Sequence, residues 1–380
     1  METSIKKYAK SLGFDLVGIT DAEPFLEDEA IALERIRSGY MDGLPWYTEE
    51  RVKKMNRPTE LLPGARSVIS VATSYKVDES DEIGSLRGKV SRYAWGDDYH
   101  EVLKNKLREF CSGLDDIAGF PVKTRIFVDD GPMNDRAAAF RSGVGWFGKN
   151  TNILTPSHGS WVFLGQVITD LLLNKDTPLK KTCGNCVRCI DDCPTGAIVA
   201  PYTIDNERCI SYLTIELRGP IPVPLRPLMG DWVFGCDICQ DVCPVNLKAK
   251  KGNMGSFKKK SGFSAPELIP LLNMDQKSFS ETFRNSPVKR AKRVGLQRNA
   301  CVALGNNKDP RAIPALEKAL REAEVLVRMH AAWALGQIGG KNSLISLTKA
   351  LGEESEKDVL NEINSAIENC AEDISQREAD

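Results

Sequence analysis

A chain of 380 residues has room for two or three domains, and a 42% hydrophobic, 27% charged composition is that of an ordinary globular protein with a sizeable core. No segment reaches about 18 consecutive apolar residues, and the N-terminus METSIKKYAKSLGFDLVGIT has neither a secretory apolar stretch nor a twin-arginine pair, so a cytoplasmic protein without a membrane is expected. Eleven cysteines in that compartment exclude a disulfide framework and point to metal, while the net charge of −1 hides an uneven distribution.

In chain order, SIKKYAKSLG has Ile5, Tyr8, Ala9 and Leu12 at helical spacing and stops at Gly13, before the short apolar run DLVGIT. ARSVISVATSY, VKTRIFVDDGP and GSWVFLGQVITDL read as buried strands, the second closed by an Asp-Asp-Gly-Pro turn and followed by the helix-like MNDRAAAFRSG. The alternation predicts an α/β domain over 1–172. From 173 to 250 the pattern breaks into cysteine-rich loops, with GPIPVPLRP too proline-rich for regular structure. KAKKGNMGSFKKK, with six lysines and no acid, reads as a linker or surface loop. A helical domain is expected over 260–380, because NACVALGNNKDPRAIPALEKAL and HAAWALGQIGGKNSLISLTKAL align at an offset of 31 residues, in the manner of HEAT-type two-helix repeats. The fold class is therefore an α+β multidomain chain, with a polar helical cap after 352.

The chemistry is concentrated in cysteine. Cys183-x2-Cys186-x2-Cys189-x3-Cys193-Pro194 has the spacing of a bacterial ferredoxin run, in which three thiolates hold one 4Fe-4S cubane and the fourth reaches a second. A later run, Cys236-x2-Cys239-x3-Cys243-Pro244, lacks its first member, and Cys209 is the nearby cysteine left to fill the place. Ferredoxin logic then puts Cys183, Cys186, Cys189 and Cys243 on one cluster and Cys209, Cys236, Cys239 and Cys193 on the other. Two zinc ions are the competing expectation. Cys111, Cys301 and Cys370, in helical contexts, read as small buried side chains.

Together with these runs, the stretches SRYAWGDDYH, FVDDGP, GWFGKN, GSWVFLGQ, CPTGAIVAPYTIDNERCISYLTIE and RPLMGDWVFGCDICQDVCP resemble the epoxyqueuosine reductase family, in order and over most of the chain before the repeats. The resemblance implies a cobalamin-dependent oxidoreductase that removes the epoxide oxygen of epoxyqueuosine at the tRNA wobble position, taking two electrons and two protons. It implies cobalamin and two 4Fe-4S clusters as cofactors, and an acid for the departing oxygen that falls on Asp129; burial at the end of an apolar strand would raise such a carboxyl's pKa. Residues then expected near the corrin are Arg57, Ser91, Asp129, Lys149, Ile153, Ser211, Asp237 and Ile238. Asp130 fits a turn role and Asp135 a pairing with Arg136 or a neighbour. The Asp-x-His-x-x-Gly cobalt-ligand motif is absent, since Asp98-Tyr99-His100 is followed by Leu103 where glycine is needed, so base-off binding is expected with His100 structural.

Partners implied are a tRNA with a GUN anticodon and an external electron donor of flavodoxin or ferredoxin type, the protein itself being a monomer. The basic run RNSPVKRAKRVGLQR offers Lys289, Arg290, Lys292, Arg293 and Arg298 to phosphates, and Trp95, Tyr99, Trp146 and Trp161 are candidates for stacking on splayed bases. Three other functions compete: a reductive dehalogenase-like cobalamin enzyme, an electron-transfer protein on a helical-repeat scaffold, and a tRNA-binding protein with structural clusters.

Overall fold

The strand SVISVATS is buried at every position, which places it inside a sheet with both faces covered. A computed structural model of the chain describes residues 1–77 and 84–379. Its contacts divide it into two units, one of Met1–Asp78, Gly96–Cys209 and Asp237–Lys258, the other of Glu79–Trp95, Ile210–Cys236 and Lys259–Asp380.

The first unit is built on strands β1 (Leu16–Asp21), β2 (Ser67–Ser74), β3 (Thr124–Phe127) and β4 (Val162–Thr169), ordered β1-β2-β4-β3. Every pairing is antiparallel, with Ile19 opposite Ile69, Val71 opposite Gly165 and Ile126 opposite Val167. The alternation of helix and strand thus yields an antiparallel sheet flanked by helices rather than the parallel sheet that such alternation often builds. Helices α1 (Glu2–Ser11) and α2 (Tyr99–Ala118) pack together. Asp98 caps α2 by accepting from the His100 N–H, and Gly119 ends it at φ 78°. Leu103, Leu107, Phe110 and Leu114 form its buried stripe. Gly165 lets α2 approach the sheet, because a Cβ there would stand 3.1 Å from Leu107 and 3.2 Å from Val71.

Helix α3 (Asp135–Arg141) is capped by Asn134, whose side chain accepts from the Ala137 N–H. Its Ala137 and Ala138 lie in a core with Val68, Phe127 and Ile168. Beyond the sheet, Cys189 and Cys239 ride on single-turn helices, Arg188–Asp191 and Ile238–Asp241. Of the two readings of the lysine-rich stretch, the structure favours the surface loop over a free linker. The Gly252 N–H donates to the Lys76 carbonyl and a Cβ on Gly252 would meet the Ser74 carbonyl oxygen at 2.2 Å. Phe257 is buried against Phe163.

The second unit holds α4 (Lys292–Asn307), α5 (Ile313–Ala319), α6 (Val325–Ile338), α7 (Gly340–Glu353) and α8 (Lys357–Ala379). Helices α4, α6 and α8 pack in succession, with α5 and α7 touching them and each other from a second layer. The 31-residue offset has a steric meaning: a Cβ on Gly305 would lie 2.9 Å from the Ala334 Cα, and one on Gly336 would lie 2.8 Å from the Ala366 Cα. Each repeat therefore spends a glycine on the approach of the next. Gly336→Val, which adds bulk against backbone and a β-branched side chain to a helix, is expected to destabilise the repeat unit by about 2–3 kcal/mol, measured by denaturant unfolding of the full chain.

Candidate active site

Thiols of the two cysteine runs act on one another. Burial lifts the Cys189 thiol to about 11, and the neighbouring Cys183, Cys243 and Cys186 push it in the same direction. Cys243 therefore stands with the first run although the chain leaves the unit and returns in between. Burial raises Cys239 too, followed by the effect of Cys209, and its carbonyl accepts from the Asn150 amide. Cys193 Sγ lies 3.7 Å from Thr195 Oγ1, and Cys236 belongs to the second unit. Half-buried, mutually repelling thiols make a donor set that a bound cationic centre would stabilise as thiolates. Among the described residues no three His, Cys, Asp or Glu side chains close on one position suited to a single metal ion. Larger cubanes suit this spacing better than zinc.

Asp129 follows β3 at φ 52°, a left-handed conformation that is uncommon outside glycine and tolerated best by Asn and Asp. The carboxyl is exposed, so the chain itself does not supply the burial expected for it. The Tyr99 hydroxyl donates to Asp129 Oδ2 at 2.6 Å. Tyr99 is fixed by stacking on Phe163 at 4.3 Å with 3° between planes, and by His100 at 4.0 Å. His100 has its Nδ1 2.7 Å from Asp98 Oδ1, a structural bond. Asp130 has the turn role: its Oδ1 accepts from the Val128 N–H and its other oxygen pairs with Lys104.

Asp135 departs from its expected pairing with Arg136. It is half-buried, with a buried Oδ1 that lacks a hydrogen-bond partner among the described residues. Desolvation pushes it well above the usual carboxylate range, and Asp129 and Asp130 add to the push against a smaller opposing effect of Arg136.

Of the other residues expected around a corrin, Arg57 pairs with Glu29 at 2.9 Å, and Lys149 Nζ donates to the Gly184 carbonyl beside the first thiols. Ile153 is buried in the hairpin that pairs Trp146–Phe147 with Ile153–Leu154. That hairpin also carries the buried Trp146 indole N–H, which has no acceptor among the described residues and which a bound polar group would satisfy. Asp237 is buried and Ile238 half-buried, both on the turn leading to Cys239. Ser91 and Ser211 lie in the second unit, Ser91 buried with its N–H on the Phe234 carbonyl.

One basic residue needs correction. Arg298 is fully buried, its guanidinium donating to the carbonyls of Leu217 and Gly219 at 2.9 and 2.8 Å, to that of Leu213 and to the Asn299 side chain. It ties α4 to the helix Ile210–Ile215 and is out of reach of phosphate. Arg293 is mostly covered and turned to Glu322, Glu324 and Gln297. Arg290 pairs with Glu216, and Lys289 and Lys292 are exposed. Trp95, Tyr99, Trp146 and Trp161 are all buried, which suits packing rather than base stacking.

Residues 182–246 match the profile of a 4Fe-4S double cluster binding domain, 290–368 that of HEAT repeats, and 56–130 that described as epoxyqueuosine reductase QueG, DUF1730. An epoxyqueuosine reductase of Bacillus cereus is 35% identical over 378 residues, covering 98% of both chains. The chain belongs to the epoxyqueuosine reductase family. The Escherichia coli K12 member is 40% identical over 338 residues, 88% of each chain. A crystal structure of epoxyqueuosine reductase with an epoxyqueuosine-modified tRNA-Tyr stem loop superposes with a TM-score of 0.91 at 34% identity, covering 97% of this chain and 98% of that one. A Bacillus subtilis epoxyqueuosine reductase with its catalytic aspartate loop swung out of the active site gives 0.89 at 33% identity, with the same coverage.

Within this family member, sequence reasoning missed the buried, unpartnered Oδ1 of Asp135 and Tyr99 as the donor to Asp129. The signal for Asp135 was its place at the start of the alanine-rich α3, the helix that covers the sheet. Its linkage has a definite sign. The folded state holds the Asp135 proton to a higher pH than the unfolded chain does, so stability falls as pH rises from the ordinary carboxylate range through the raised pKa. Asp135→Asn lacks that loss. The stability difference should move in favour of the variant with rising pH, by at most about 1.4 kcal/mol per pH unit, measured by denaturant unfolding across a pH series.

Proposed function

We propose that this oxidoreductase reduces epoxyqueuosine to queuosine at the wobble position of tRNA, using cobalamin, two 4Fe-4S clusters and Asp129 as proton donor. The reading is carried by one combination: thiols grouped around Cys189 and Cys239, and Asp129 held by Tyr99, within one compact unit of a chain whose relatives are named for that reaction. A solved relative binds a modified tRNA stem loop, which supports tRNA as the substrate. When bound, cobalamin would supply a strongly reducing cobalt and the clusters one-electron steps towards it.

The chain's own residues do the rest. Cys183, Cys186, Cys189 and Cys243 would hold one cluster, and Cys209, Cys236, Cys239 and Cys193 the other. Arg57, Ser91, Lys149, Ile153, Ser211, Asp237 and Ile238 would contact the corrin, with Asp237 and Ile238 adjoining the ligand Cys239. Asp129 donates a proton to the epoxide oxygen, because an alkoxide is a poor leaving group near neutral pH. The Tyr99 O–H then stabilises the carboxylate left behind, and its stacked ring fixes where that carboxylate sits.

Lys289, Arg290, Lys292 and Arg293 are the proposed phosphate contacts, with Arg298 removed from the set. The proposal includes a cytoplasmic monomer fed by an external flavodoxin- or ferredoxin-type donor. Among the described residues no helix is long and apolar enough to cross a membrane.

Anaerobically reconstituted protein is expected to hold about eight irons, two cubanes of four, and Cys243→Ser and Cys209→Ser should each cost one cluster by iron analysis. Added cobalamin should take the base-off cob(II)alamin spectrum. Asp129→Asn should keep that spectrum yet convert epoxyqueuosine tRNA at least about 10²-fold more slowly; wild-type conversion by the variant removes Asp129 from the acid role. Lys289→Gln with Lys292→Gln should flatten the salt dependence of tRNA binding, with the log-log slope falling by about one for each phosphate no longer neutralised.

A further inference from the structure

Of the chain's six tryptophans, Trp46 is the exposed one, with 43% of its surface open. It precedes the helix Glu49–Met55, which Thr48 caps by accepting from the Arg51 N–H. The Arg51 guanidinium lies over the indole, its central carbon 5.2 Å from the ring centroid, and Tyr47 stands edge-on to Trp46 at 5.7 Å. The same guanidinium donates from Nη2 to the Gly131 carbonyl at 3.2 Å, two residues past Asp129. The helix is pinned to that loop a second time, since the Asn134 N–H donates to the Met55 carbonyl at 3.0 Å. Hydrogen bonds therefore place the Trp46–Arg51 pair against the Asp129 loop, within one unit.

Two more arginines are tied to the same framework. Arg136, exposed in the first turn of α3, donates to the carbonyl and the hydroxyl of Thr151 at 3.3 Å each. Arg35 donates to the Tyr202 carbonyl, and the Tyr202 N–H donates to Lys149 in the turn that ends at Thr151. Among the described residues none of Arg35, Arg51 and Arg136 has a carboxylate at ion-pair distance, whereas Arg37, Arg57 and Arg141 of the same unit pair with Glu49, Glu29 and Asp21. Arg51 Nε is buried without an acceptor among the described residues. Burial raises the Tyr47 hydroxyl against the opposing charges of Arg136, Arg35 and Arg51, so the three cations share one phenol. Burial lowers Arg35, with Arg136 acting in the same direction and Tyr47 and Asp28 against it. Cations held by carbonyls and left without counter-charge suit an anion.

We propose that Trp46 and Arg51, with Arg136 and Arg35, form a clamp for an unpaired nucleotide of the anticodon loop: the indole stacks on its base and the guanidiniums take the adjoining phosphates. This rests on the reading of tRNA as substrate. A flat apolar ring beside cations is the combination that holds single-stranded nucleic acid, and a duplex, whose bases stack on one another, offers it only phosphates. The exposed lysines Lys289 and Lys292 can neutralise phosphate but have no such ring at hand in the basic run. Because Arg51 also holds Gly131, a nucleotide gripped here is registered against the loop that carries Asp129. The nucleotide tail of cobalamin presents the same two groups, an aromatic base and a phosphodiester, and the test separates the two sources.

Binding of a labelled, unmodified anticodon stem loop to the reconstituted full chain, followed by fluorescence anisotropy, tests the clamp without turnover. Trp46→Ala should weaken binding about 10- to 100-fold, and Trp46→Phe, which keeps a ring, should recover most of it. A duplex of the same stem without the loop should bind wild type and Trp46→Ala equally. Arg51→Gln and Arg136→Gln should each lower the log-log salt slope by about one. Cobalamin titrated by its absorption spectrum should bind Trp46→Ala as it binds wild type. Wild-type affinity of Trp46→Ala for the stem loop, equal weakening on loop and duplex, or an unchanged slope in both arginine variants overturns the clamp and leaves tRNA as the substrate. Loss of cobalamin affinity with stem-loop affinity intact assigns the site to the cofactor's tail and overturns the anticodon reading. A wild type that binds no stem loop overturns tRNA as the substrate, and the clamp with it.

Discussion

The return of Cys243 to Cys183, Cys186 and Cys189 is the constraint on which the first unit depends. The chain leaves that unit after Cys209 and re-enters at Asp237, and the effect of Cys243 on the Cys189 thiol requires the second run to come back beside the first. Four thiols brought together this way repel when ionised and are costly to bury, so the apoprotein lacks a strong reason to hold them close. A bound cubane would supply it, making metal binding part of folding for this segment. The same return fixes the Asp237–Ile238 turn, because it immediately precedes Cys239, and Asn150 clips the Cys239 carbonyl to the loop before the Ile153 hairpin.

Where the thiols depend on a crossing of the chain, the proton-handling side depends on one strand end. Strand β3 stops at Phe127, opposite Gln166 of the fully paired β4, and within a few residues the backbone must turn to begin α3. Asp129 takes the left-handed position in that turn, which aspartate tolerates at a cost of about 1–2 kcal/mol per residue. Tyr99, itself held flat on Phe163, receives the resulting carboxyl. The turn thus sorts three aspartates by environment: Asp129 outward on a tyrosine, Asp130 onto the Val128 amide and Lys104, and Asp135 at the start of α3 with its Oδ1 buried. Similar side chains in one short segment acquire different chemistry because the backbone points them at different surroundings.

That sorting marks the limit of what the sequence discloses. Cysteine spacing is a local property of the chain, so the ferredoxin runs and the vacancy filled by Cys209 are readable without a fold. Strand and helix positions follow from apolar period, and the glycines of the repeats betray themselves by recurring at one offset. Which carboxyl of VDDGPMND buries an oxygen is a property of how α3 lies on the sheet, and no periodicity announces it. Arg298 shows the same limit from the other direction. It belongs to a basic run, but the helix it occupies is buried continuously from Gly295 to Gly305, and only the carbonyl ends of the Ile210–Ile215 segment explain why a cation stands there. The run VGLQRNACVALG is apolar around it, the one hint available before the fold.

The charge asymmetry of the second unit then takes a narrower form. Its acids are not a separate tail facing the basic run from afar, since Glu322 and Glu324 neutralise Arg293, Glu216 neutralises Arg290, and Glu362 from α8 reaches the buried Arg226. Part of the positive charge of the basic run is therefore neutralised within the unit, where exposed pairs add little stability and screening by salt is strong. What an anionic partner would meet includes the exposed Lys289 and Lys292, before and at the start of α4. A phosphate there would also have to compete with Glu216 for Arg290, so that the affinity gained is less than the count of basic residues implies. Specificity for a modified anticodon cannot come from such contacts, because phosphates are common to every tRNA. Under the proposed function it comes from the site beside Asp129, where the modified base would be read.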